Sequence, residues 1–100
     1  MVPVRGPIDI VAVEDNAERA KLAIFYAEGK EVEKNFAFAK YLVQKAGSNN
    51  YAPALLLKAD WQSRGFVYDR DLSGARKSLE QAAALGNSKA KDKLKELPKN

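Results

Sequence analysis

The chain has 100 residues, 46% of them hydrophobic and 30% charged, a length and balance suited to one globular domain. It has neither cysteine nor histidine, which excludes disulfides, thiolate zinc sites and the Ser/His and Cys/His nucleophile arrangements. The net charge of +4 resides in the second half, because residues 1–50 carry seven basic and seven acidic side chains.

Residues 1–14 open with Pro3, Gly6 and Pro7, which forbid a continuous helix, and continue with Ile8, Ile10, Val11 and Val13, which favour burial. They are expected to cap the first helix; the alternative is an arm that pairs with a second copy and makes a homodimer. Asp15 followed by Glu18 is a capping-box pattern, so a helix is predicted from near Asn16 through Ala20, Leu22, Ala23, Phe25 and Tyr26 to a stop near Gly29. Asn35 caps the next, whose Phe36, Ala39, Leu42, Val43 and Ala46 keep helical spacing before Gly47 and a turn at residues 48–50. Pro53 suits the first turn of a third helix that runs through Trp61 to Gly65. Asp71 caps a fourth, with Leu72, Ala75, Leu79 and Ala82 on one stripe and Gly86 as its stop. Asn87 or Ser88 opens a lysine-rich fifth helix that ends before Pro98.

These elements repeat. Gly29 falls on Gly65 at an offset of 36, and the same offset pairs Ala23 with Ala59, Asn35 with Asp71, Phe36 with Leu72, Ala39 with Ala75 and Ala46 with Ala82. A period of this size marks stacked units, none of which can bury its apolar face alone. The predicted fold is all-α, a short α-solenoid of two helix-turn-helix repeats (about 16–49 and about 50–86) plus a C-terminal capping helix over 87–97. Together they form a repeat domain over 15–97, with 98–100 as a tail. The small residues Ala23, Ala59, Ala39 and Ala75 are expected where helix axes approach closely.

The stretches 29–39 and 65–75 resemble the hairpin signature of Sel-one-like repeats, relatives of tetratricopeptide repeats: glycine, valine three residues on, an acidic or amide residue six on, an aromatic or aliphatic residue next, and alanine ten on. The resemblance covers about residues 16–97. Five residues depart from it. Glu31 and Val67 occupy the family's second glycine, Tyr68 replaces valine, Asn50 replaces the glycine that closes a B helix, and Lys58 stands where leucine is usual. Lys58 is expected to run its stem past Ala54 and Leu55 with its ammonium in solvent; the alternative is that it reaches the ligand.

The resemblance implies a protein-binding adaptor or scaffold without cofactors, as such arrays serve in bacteria and eukaryotes. The first helix of each unit (the A helix) should line a concave face that holds a protein or peptide. That places Ala20, Ile24, Ala27 and Glu28, then Leu56, Asp60, Ser63 and Arg64, then Lys89, Asp92, Lys93 and Glu96 on or near the groove. A dedicated inhibitor or immunity-type protein that covers a toxin or enzyme is the alternative. Nucleic-acid binding through the basic last helix is disfavoured, because that segment lacks the arginines and interleaved aromatics of such surfaces. With no Gly-rich phosphate loop and no isolated carboxylate pair in an apolar run, no enzyme activity, metal or cofactor is expected. No apolar run is long enough to enter a membrane. The chain as given reads as cytoplasmic, or as periplasmic or secreted if a signal peptide has been removed.

Overall fold

The described residues hold five helices: α1 (Asn16–Glu28), α2 (Phe36–Ser48), α3 (Ala52–Arg64), α4 (Leu72–Ala84) and α5 (Ser88–Glu96). The computed structural model describes residues 15–97; the cap or dimerising arm expected at 1–14 and the tail at 98–100 lie outside the described residues. Helices α1 and α2 form one hairpin, α3 and α4 the next, and α5 stacks on α4. The principal extents of 51 × 25 × 15 Å are those of a slab, as stacking along one direction requires.

Local chemistry sets the ends of these helices. The side chains of Asp15, Asn35, Asp71 and Asn87 accept hydrogen bonds from free backbone N–H groups of α1, α2, α4 and α5, and each such cap stabilises by about 1 kcal/mol. The capping box expected at α1 is half formed: Asp15 accepts from the Ala17 N–H at 2.8 Å, and Glu18 returns no bond. Tyr51 precedes α3 without a side-chain cap, and Pro53 in the first turn removes one of the donors that would need one. Gly29 and Gly65 close α1 and α3 at φ 70° and 73°, left-handed values that glycine adopts without penalty.

The offset seen in the sequence recurs in the backbone. The Asn35 N–H donates to the Tyr26 carbonyl at 2.9 Å, and the Asp71 N–H to the Gln62 carbonyl at 2.8 Å. Each bond ties the start of a second helix to the end of the first and fixes the hairpin. The departures at the second glycine position leave this geometry intact: Glu31 and Val67 take φ 67° and 68°. The chain therefore carries strain at two side-chain-bearing residues in a region that costs about 1–2 kcal/mol each. At Val67 the Tyr68 N–H closes a three-residue γ-turn onto the Phe66 carbonyl at 2.7 Å. Asn50, at φ 63°, likewise takes the left-handed role that Gly86 plays in the second repeat.

Two apolar clusters hold the stack. The first joins Leu22, Ala23, Tyr26 and Ala27 of α1 with Ala39, Leu42 and Val43 of α2, and Trp61 and Val67 of the next repeat close it. The second joins Leu55, Ala59, Ala75, Leu79, Ala82 and Ala90. Ala23, Ala39, Ala59 and Ala75 are all buried where the paired helices meet, as their size predicts. Burial of Leu42 and Val43, at most 1% exposed, contributes about 1.5–3 kcal/mol each.

Candidate functional site

The packing order decides which faces stay open. α1 packs on α3 more closely than α2 does on α4, and the α1–α3 side is called the inner side below. α3 and α5 also stand apart, and between them opens a cleft of about 190 Å³. Ala59, Ala75 and Leu79 line its apolar part, Asp60 and Ser63 belong to its α3 side, and Lys93, Glu96 and Leu97 come from the last turn of α5 and its cap.

Asp60 is held in place within its own helix. Arg64, one turn on, donates to Asp60 Oδ2 from Nη2 at 2.8 Å and from Nε at 3.1 Å, and its guanidinium carbon lies 5.4 Å from the Phe66 ring centroid. Both side chains are about half exposed, so the pair itself stabilises by under about 1 kcal/mol. Its effect is orientation: both bonds fall on Oδ2, and Oδ1 is left for another donor. Ser63 Oγ donates to the Asp60 carbonyl at 3.0 Å and keeps lone pairs for a partner.

The residues expected on the groove are thus only partly assembled. Asp60, Ser63, Lys93 and Glu96 share the cleft. Arg64 supports it from outside, and Lys89 and Asp92 are exposed on α5 but do not line it. Leu56 is half-buried against the second apolar cluster, and Ile24 against the first. Ala20 is half-buried, and Glu28 is exposed, 4.0 Å from Lys30. Ala27 corrects the expectation: it is fully buried in the first cluster and offers a partner no surface.

A second opening faces the other way. On the outer side a cleft of about 680 Å³ is lined by Lys58, Gln62, Asp71, Gly74, Lys77, Ser78, Glu80, Gln81 and Ala84. It shares Lys58 and Gln81 with a slot of about 140 Å³ bounded by Val43, Gln44, Gly47, Ser48 and Leu55. Lys58 is half-buried, and its ammonium lies 6.0 Å from the Tyr68 ring centroid, with Lys40 at 5.3 Å from the same ring. Burial pushes the Tyr68 hydroxyl up to about 12; the Gln44 amide beside it offsets part of that rise, in a geometry too poor for a full hydrogen bond. Of the residues lining the outer cleft only Lys58 stands out in the sequence as a departure from the family pattern. The signal for the rest lay in the offset of 36, which sets Gln62 against Tyr26, Gly74 against Phe38 and Ser78 against Leu42.

A crystal structure of a Sel1 repeat protein from Oxalobacter formigenes is similar to this chain, with a TM-score of 0.71 and 27% identity over 82% of the chain and 62% of that protein. The chain has a Sel1-like repeat fold. It spans 62% of the length of that solved relative. No protein-family model and no curated protein matches it. The Sel1-like repeat is commonly a protein-interaction scaffold and is typically non-enzymatic. Among the described residues no helix is long and apolar enough to cross a membrane, and no group of three or more acidic side chains is placed to hold a metal ion.

Proposed function

We propose that this Sel1-like repeat is an adaptor that grips a partner protein in the inner cleft between α3 and α5. The observation that carries the reading is the convergence of Asp60 and Ser63 with Lys93 and Glu96 around Ala59, Ala75 and Leu79. An apolar floor with a few oriented polar groups of both signs suits a peptide or helix that inserts one apolar side chain and presents charges on either flank.

The test is affinity capture from a cognate extract with the wild-type chain and with Asp60→Lys and Lys93→Glu. All these side chains are exposed, so both variants should keep the helical circular dichroism spectrum and melting temperature. Each is expected to lose the same discrete partner. Retention of that partner by both folded variants overturns the assignment.

A further inference from the structure

The two repeats share hairpin geometry but differ in a cluster of neighbouring positions. In the first, Leu22, Tyr26 and Leu42 are buried, and Phe38 packs against them. At the same positions the second repeat has Lys58, Gln62, Ser78 and Gly74, and these line the open outer cleft. The next unit returns to leucine at Leu94, which packs on the second apolar cluster. The fold therefore accepts leucine at position 58, and the lysine is not required by it. Gly74 lies in the first turn of α4, where its N–H donates to the N-cap Asp71. A Cβ there would meet Gln62 Nε2 at 2.7 Å and Asp71 Oδ2 at 2.5 Å, so the missing side chain gives the Gln62 amide its place. Ser78 Oγ then donates to Gln62 Oε1 at 3.1 Å. Four neighbouring positions thus exchange apolar side chains for polar groups or none: Gln62 and Ser78 stay buried as a hydrogen-bonded pair, Lys58 and Gly74 are half-buried, and local rules broken in concert mark a working surface.

The charges say what that surface takes. Lys58 makes no ion pair among the described residues, and neither does Lys40, which shares the Tyr68 ring with it. Of the two acids in the outer cleft, Asp71 is committed to the Gly74 N–H at 2.8 Å as the cap of α4, and Glu80 is exposed. The slot around Lys58 contains no acid and adds the amides of Gln44 and Gln81. The ammonium of a half-buried lysine, flanked by amide donors and without an ion-pair partner, is complementary to a carboxylate. The adjoining cleft of about 680 Å³ is too open to enclose a small molecule, which ordinarily loses most of its surface to its site, whereas an extended chain can lie along it.

We infer that the outer cleft is a second binding site, separate from the inner one, for an acidic polypeptide segment whose carboxylate enters the slot at Lys58. The two sites use opposite faces of α3, with Lys58 and Gln62 on one and Asp60 and Ser63 on the other. The outer site therefore does not depend on the adaptor reading of the inner cleft.

The experiment is an amide chemical-shift titration of the full chain with an N-acetylated, C-amidated peptide of alternating glutamate and serine. The same peptide with glutamine for glutamate serves as the neutral control, and free acetate as the small carboxylate. The glutamate peptide should shift Gln44, Lys58 and Gln81, and bind at least tenfold more tightly than the glutamine peptide. Lys58→Leu should weaken it at least tenfold while keeping or raising the melting temperature, because leucine is the residue of the neighbouring units. Lys58→Gln, which keeps a polar side chain, should show the same loss, and Asp60→Lys should change nothing. Equal binding by the folded Lys58 variants, equal binding of the glutamine peptide, or shifts confined to the α5 lysines would overturn the site. Acetate binding as tightly as the peptide overturns the polypeptide occupant, and no binding at all means that these polar residues only solvate a groove.

Discussion

Glu31 and Val67 hold equivalent positions in the two hairpins with nearly the same left-handed φ, yet glycine should act on them with opposite sign. Replacing either relieves about 1–2 kcal/mol of backbone strain and costs about 0.5–1 kcal/mol through the greater freedom of glycine in the unfolded chain. Glu31 is exposed and makes no hydrogen bond or ion pair among the described residues, so nothing else is lost. Glu31→Gly is therefore expected to stabilise by about 0.5–1 kcal/mol, a rise in melting temperature of about 2–8 °C for a domain of this size. Val67 is only 9% exposed and closes the first apolar cluster, so its removal gives up a further ~2 kcal/mol of burial. Val67→Gly should destabilise by about 1 kcal/mol even though its branched side chain is the more strained of the two. Guanidinium unfolding followed at 222 nm measures both. A destabilised Glu31→Gly, or a Val67→Gly more stable than it, would show that strain and burial have been weighed wrongly.

Leu42→Ala removes a side chain that is 1% exposed at the centre of the first cluster; a loss of about 2–4 kcal/mol is expected by denaturant unfolding, whereas Leu85→Ala, at 45% exposure, should change stability by under about 0.5 kcal/mol. Tyr68 binds its proton more tightly in the folded chain than in the unfolded one, so its contribution to stability is intact below pH 10 and is lost as the pH rises from there to about 12. Tyr68→Phe should flatten that part of the alkaline unfolding profile and leave stability at pH 7 equal or slightly higher, because the hydroxyl it deletes is buried without a hydrogen bond.

Helix order and helix ends were legible because both are local. Asp15, Asn35, Asp71 and Asn87 bond to amides two or three residues away, and Gly29 and Gly65 stop helices by their own φ. The offset of 36 carried the stacking, since residues that repeat with the backbone must solve the same packing problem twice. Half of the inner cleft was legible too, as Asp60 and Ser63 follow from placing A helices inward. The sequence did not reveal that Ala27 is sealed in a core, because burial depends on which helix lies across it. Nor did it show that Glu31 and Val67 would accept left-handed φ, since the hairpin hydrogen bonds to Tyr26 and Gln62 impose that turn from outside. The clefts belong to tertiary structure alone. The inner one is a gap between α3 and α5, the outer one runs along α3 and α4 with its slot reaching α2, and the spacing across each is fixed by how the helices pack.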